Sequence, residues 1–198
     1  HSAAPGHRIF DDHLAHSLVD RAEFETFENM AAEGLRRLDP ALAETCSEPS
    51  AFVYHAIRAG AAAAIVLPRA CHVEEALGGA LDRGVRQYVI VGAGLDTFAL
   101  RQQDLADRLC VFEIDHPATQ AFKRERLRRA GLAEPAHLHF AAADLEQESV
   151  SAALARTPHD PEAPTFFAWP GVTMYLTRNA VMTTLDSIRR ASAPRSEL

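Results

Sequence analysis

The stretch Gln87-Tyr-Val-Ile-Val-Gly-Ala-Gly-Leu-Asp-Thr97, followed by Val111-Phe-Glu-Ile-Asp-His-Pro117, constrains the fold more than any other part of the chain. Tyr88 to Val91 is an unbroken β-branched and aromatic run, the pattern of a strand buried on both faces. Gly92 and Gly94 then allow a tight turn and a close approach of backbone to a ligand. After a short helix, Cys110 to Ile114 reads as a second strand, ending in the carboxylates Glu113 and Asp115. A strand, a glycine turn, a helix and an acid-tipped strand form the frame that holds a nucleotide-like ligand by its ribose.

The pattern continues in the same sense. Pro117 suits the first turn of a helix, where its missing N–H costs nothing. That helix is predicted to run to Arg129 and to end before Gly131, a left-handed cap. His137 to Ala141 is a third strand. Glu148 to Pro164 holds a short helix and a Pro-rich loop, and Thr165 to Trp169 is a fourth strand. Thr177 caps a last helix with an apolar stripe of Val181, Leu185 and Ile188. Alternating strands and helices predict a parallel sheet with right-handed crossovers.

Upstream, residues 8 to about 82 read as helical. Phe10, Leu14 and Leu18 recur at helical spacing, as do Phe24, Phe27, Ala31 and Leu35. Asp39-Pro40 ends the second helix, Pro68 ends a third that begins near Ala51, and a fourth runs from Cys71 to Leu81. The expected division is a helical cap over residues 1–84 and a Rossmann-like domain over 85–198. The chain stops at Ser196-Glu-Leu198 as a new strand begins, which predicts a truncated chain or a disordered remainder.

Bulk properties exclude several classes of partner. A formal charge of −7 disfavours nucleic acid and anionic membranes. The longest apolar run, Ala61 to Leu67, is too short to cross a bilayer. Cys46, Cys71 and Cys110 are scattered, so they predict buried free thiols in a reducing, cytoplasmic setting. His137 and His139 share a strand face, but no third ligand follows, so no metal is expected.

The glycine pattern also bears on the cofactor. A dinucleotide turn needs a third glycine to admit pyrophosphate. Here that position is Thr97, preceded by Asp96, and an acid would repel phosphate. A cofactor with ribose and positive charge but no phosphate fits better, which points to S-adenosylmethionine. The residues leave open which of Glu113 and Asp115 would hold the ribose. The lesser alternative is that one of them merely caps the helix that starts at Pro117.

These words resemble the leucine carboxyl methyltransferase family, especially its bacterial small-molecule O-methyltransferases. The likeness lies in Arg86–Thr97, Val111–Lys123, Ala143-Asp-Leu145 and Gly171-Val-Thr-Met-Tyr-Leu-Thr177. Ile9-Phe-Asp-Asp12 and the segment from Arg69 resemble the family's helical front end. The resemblance implies a class I methyltransferase fold with strand order 3-2-1-4, its later strands missing here. It implies methyl transfer from S-adenosylmethionine to a carboxylate or hydroxyl of a small molecule of secondary metabolism. Arg69 would then reach the methionine carboxylate, and Gly92, Ala93 and Gly94 would form the turn beneath the methionine part. Asp115, rather than Glu113, would hold the ribose, with Asp144 and Leu145 flanking the adenine. Tyr175 would line the substrate pocket or sit in the core, and no catalytic base is identified.

One departure stands out. The family usually places Glu before Gly-Val-Thr-Met-Tyr-Leu, and here that residue is Pro170. It motivates the alternative of a catalytically impaired or repurposed protein that binds a ligand or partner. An open edge on strand 4 would also admit a homodimer.

Overall fold

The computed structural model describes residues 10–59 and 61–198. They form two compact units, His1–Glu74 and Glu75–Leu198, and the division falls inside a helix rather than at Gly84. In the first unit, α1 (Arg21–Leu38) starts at Asp20, whose carboxylate accepts from Ala22 N–H, with Glu23 completing a capping box. Asp39 ends α1, and α2 (Pro40–Glu44) restarts at once with its proline in the first turn. Ala31, Ala32 and Leu35 of α1 pack with Ala43 and with Phe52 and Val53 of α3 (Pro49–Ala59). The first apolar series gives less helix than its spacing predicts. Only Ala15–Leu18 turns, as a 3-10 helix, and residues up to 9 lie outside the described set.

The predicted stop at Pro68 is not made. α4 (Ala61–Asp82) runs through it. Proline removes one helical N–H, so one upstream carbonyl loses its partner. Pro68 is exposed, and the strong helix formers Ala70, Glu74, Glu75, Ala76 and Leu77 carry the helix onward past it. It ends at a turn where Gly84 takes φ +96°.

The second unit is a parallel sheet, as the alternating elements predict, in the order β3-β2-β1-β4 that the resemblance implies. The strands are β1 (Gln87–Val91), β2 (Cys110–Asp115), β3 (Leu138–Ala142) and β4 (Thr165–Ala168). Every residue of β1 is buried. Register aligns Val89 with Phe112 and Phe167, so side chains of alternate residues make two distinct faces. One face, with Val89, Val91, Phe112 and Ile114, packs on α7 (Val150–Leu154) and α8 (Arg178–Arg190). The other carries Tyr88, whose ring meets Phe98 edge-on at 5.1 Å in α5 (Phe98–Arg101). It also carries Glu113, which faces α6 (Pro117–Arg129).

Further expectations change. By sequence the basic run Lys123–Arg129 reads as a solvated face whose charges complement the helix C-terminus, yet Lys123 and Arg126 are buried. Gln120, Lys123 and Leu127 recur at helical spacing and form the inward stripe of α6. The thiols are not buried either: Cys110 is exposed, and Cys46 and Cys71 are half-buried. The edge of β4 is met by the chain itself, for Phe167 N–H donates to the Glu197 carbonyl (2.8 Å) and Glu197 N–H to the Thr165 carbonyl (3.0 Å). Arg83 holds the Glu197 carboxylate from α4's end at 2.7 Å. Among the described residues no helix is long and apolar enough to cross a membrane.

A histidine group lies at the opposite end of the sheet from the glycine turn. His139 stacks on Phe112, His159 meets the same ring edge-on, and His159 Nε2 lies 3.2 Å from Thr165 Oγ. Burial holds His137, His139 and His159 below the usual 6.5, with Ala99's backbone opposing at His137 and Asp160 opposing at His159. His137 lowers His139 further. The folded state therefore binds fewer protons than the unfolded chain just below that value. The stability they contribute is present above pH 6.5 and is lost as pH falls. Thermal melts should show the midpoint falling between pH 7 and 5, and His139→Phe should flatten the fall. An equally steep fall in the variant would remove His139 from the account.

Candidate cofactor site

The glycine turn leaves β1 with Gly92 at φ +74° and Gly94 at φ +54°, both in the region that favours glycine. Gly92 N–H and Ala93 N–H both donate to the Ile114 carbonyl, at 2.7 and 3.2 Å, which ties the turn to the end of β2. One step on, Gly94 N–H donates to Asp115 Oδ2. The other carboxylate oxygen accepts from His116 N–H at 2.7 Å. The Asp115 carboxylate is thus fixed by two backbone donors while remaining half-exposed. Each of its oxygens keeps lone-pair capacity for a further donor.

The two glycines face different surroundings. A Cβ on Gly94 would meet nothing within 4 Å. A Cβ on Gly92 would lie 2.3 Å from Cγ2 of Val172, in the loop after β4. Gly92 is therefore the seat of Val172, and the open side of the turn is at Gly94. Pro170 precedes Gly171, which takes φ +76° and turns the chain toward Val172. Thr177, at the far end of this loop, donates its N–H and hydroxyl to Glu146 at 2.7 and 3.0 Å.

Glu113 and Asp115 part company here. Glu113 is 2% exposed and its ion-pair partner Lys123 is 1% exposed. Burial pushes the Glu113 carboxyl up to about 7, and the Lys123 charge opposes that rise. Two carboxylates this close on one strand repel, and the chain's own α6 supplies a compensating positive charge in Lys123. Sequence reading missed Lys123 because it stands at the head of a basic run. Its spacing with Gln120 and Leu127 was the available signal.

Asp144 follows β3 and is half-buried, accepting from Glu146 N–H at 3.0 Å and from the Gln147 side chain at 2.7 Å. Leu145 is buried in the core beside Val91 and Ile114. Ala143 N–H donates to the Asp115 carbonyl at 2.8 Å, so the ends of β2 and β3 are joined. Tyr175, in the 3-10 turn Thr173–Tyr175, is 80% exposed, so it is not a core residue. Arg69 is half-buried on α4, within the first unit. His116 caps α6, with Nδ1 accepting from Ala118 N–H at 3.2 Å. Among the described residues no group of three or more His, Cys, Asp or Glu is placed to hold a metal ion.

The Asp96 carboxylate accepts from Phe98 N–H, the first N–H of α5, at 2.7 Å. An acid sits where a dinucleotide fold would receive its pyrophosphate. This parallel sheet, its glycine turn and the acid beside it coincide with a family model. The model for leucine carboxyl methyltransferase matches residues 1–189. The chain belongs to the leucine carboxyl methyltransferase family.

Relatives within reach of this family include the "Putative S-adenosyl-L-methionine-dependent methyltransferase YktD" of Bacillus subtilis (strain 168). It is 34% identical over 177 residues, covering 86% of this chain and 56% of the relative. A protein of Mycolicibacterium paratuberculosis (strain ATCC BAA-968 / K-10), also named for S-adenosyl-L-methionine-dependent methyl transfer, is 37% identical over 135 residues. That match covers 68% of this chain and 42% of the relative. The chain therefore spans about half the length of the curated relatives it matches. Among solved structures, a mitomycin 7-O-methyltransferase, MmcR, aligns over 93% of this chain and 46% of its own. The identity is 19% and the TM-score 0.42.

Proposed function

We propose that this chain binds S-adenosylmethionine at the carboxyl ends of its strands and serves methyl transfer to an oxygen of a small molecule. The observation that carries the reading is Asp115. Its carboxylate is held by Gly94 and His116 N–H groups beside the open side of the glycine turn. Two ribose hydroxyls can donate to such a fixed acid, and charge-assisted bonds of this kind are the strong ones. Family membership and the relatives' names support the cofactor. They do not favour the alternative of a repurposed binding protein.

The other roles follow the resemblance. Asp144 would accept from the adenine amino group beside Leu145, Arg69 would take the methionine carboxylate, and Tyr175 would stand at the pocket mouth. The turn of Gly92, Ala93 and Gly94 would border the methionine part, with Gly94 offering the open side. Glu113 would pair with Lys123 rather than touch the cofactor. When bound, the cofactor supplies an electrophilic methyl on a sulfonium, and sulfur leaves as a thioether. The protein's work is alignment of the acceptor oxygen, the methyl and the sulfur in one line. A carboxylate acceptor needs no base, whereas a hydroxyl acceptor must give up its proton. A cytoplasmic setting and a place in secondary metabolism belong to the same reading. A homodimer through β4 would compete with Ser196 and Glu197 for that strand's backbone.

Calorimetric titration with S-adenosylmethionine and with NAD tests the cofactor. We expect binding of the first alone, in the micromolar range of about −8 kcal/mol. Binding of NAD instead, or of neither to folded protein, overturns the reading.

A further inference from the structure

The ribose acid does not stand alone. Asp115 sits two residues beyond Glu113 on β2, and its partner Gly94 sits two residues before Asp96 on the glycine turn. A single ammonium reaches both. Lys123 Nζ donates to the Glu113 carboxylate and, at 2.6 Å, to the Asp96 carbonyl. The Phe140 ring of β3 lies 5.9 Å away. The helix reaches the same strand a second time, through Gln120 Nε2 and the Glu113 carbonyl at 3.5 Å.

The arrangement closes a loop. From Lys123 one arm runs through Glu113 along β2 to Asp115. The other runs through Asp96 along the turn to Gly94. The two arms meet in the Gly94–Asp115 hydrogen bond. A lysine spends its charge this way at a cost, since taking an ammonium and a carboxylate out of water is expensive. An apolar pair of similar shape would hold α6 to the sheet without that cost. What the apolar pair lacks is a donor for the Asp96 carbonyl and a directional hold on Glu113.

We propose that Lys123 is a positioning residue for cofactor binding, fixing Asp115 against the glycine turn through Glu113 and the Asp96 carbonyl. The proposal rests on the reading of Asp115 as the ribose acid. It predicts that loss of Lys123 weakens the cofactor without any contact between the two.

The test is a double-mutant cycle read by calorimetry with S-adenosylmethionine. The variants are Lys123→Met, Asp115→Ala and both together. Methionine keeps the length and apolar stem of lysine. Since a buried carboxylate left alone is destabilising, Glu113→Gln/Lys123→Met provides a neutral pair of similar volume. Circular dichroism and a cooperative melt establish the fold of each.

We expect folded Lys123 variants to bind about tenfold more weakly than the parent. In the Asp115→Ala background the same change should cost almost nothing, because the group it positions is gone. Unchanged affinity in a folded Lys123 variant overturns the proposal. So does a full tenfold loss in the Asp115→Ala background, which would mark general loosening of the fold. If the parent binds but Asp115→Ala binds equally well, the ribose reading itself falls and the proposal with it.

Discussion

Asp115→Ala is expected to leave a folded chain that has lost most of its affinity for S-adenosylmethionine. Two hydroxyl-to-carboxylate bonds are removed, and each bond to a charged group contributes about 1.5–3 kcal/mol. Allowing for water that takes over part of the role, a fall of roughly 100-fold follows. The fold should survive because the residue is half-exposed and its own bonds are local ones to Gly94 and His116. Asp144→Asn should cost less, roughly severalfold, because an amide oxygen can still accept from an adenine amino group. Titration calorimetry of the two variants decides the order. If Asp144→Asn is the more damaging, the adenine acid outranks the ribose acid, and the site is centred on β3 rather than β2.

Most element boundaries were legible because they rest on local signals, whereas the strand order came from the family resemblance. Five buried β1 residues, Pro117 at a helix start, Gly131 after its end and Thr177 as a cap each act within a few residues of chain. The failures share a different cause. Pro68 was read by its local rule, but the helix around it continues, since one lost N–H does not outweigh the favourable residues on both sides. Lys123 was read by the company of its charged neighbours, yet helix periodicity turns it inward while Arg124, Arg128 and Arg129 stay outside. Its partner lies ten residues back on β2, and the pairing exists only once α6 crosses the sheet. Asp115 and Glu113 were equal as sequence. Alternation put both on one side, and only the folded site shows that one is buried with a lysine and the other faces two backbone donors. Gly92 was read as room for a ligand. Its hydrogen faces Val172 from a loop 80 residues away in sequence, which no spacing rule could anticipate.

That last contact yields the largest expected effect on stability. Gly92→Ala meets two obstacles at once. Its φ of +74° disfavours any L side chain, at about 1–3 kcal/mol. The added methyl would also lie 2.3 Å from Val172 Cγ2 and 3.1 Å from its Cγ1. Such overpacking typically costs about 1–3 kcal/mol more. Together they predict a loss of about 2–6 kcal/mol, which in a domain of this size lowers the melting midpoint by roughly 5–20 °C. Val172→Ala/Gly92→Ala separates the two terms. Removing both Val172 methyl branches relieves the two closest contacts but leaves the Val172 Cβ at 3.2 Å and the backbone strain, so the double variant should recover at most about half the loss. Gly94→Ala serves as the control, because its Cβ would enter open space and only the strain at φ +54° remains. It should melt near the double variant. If Gly92→Ala melts no lower than Gly94→Ala, Val172 does not rest on the turn in solution, and the loop after β4 stands away from it.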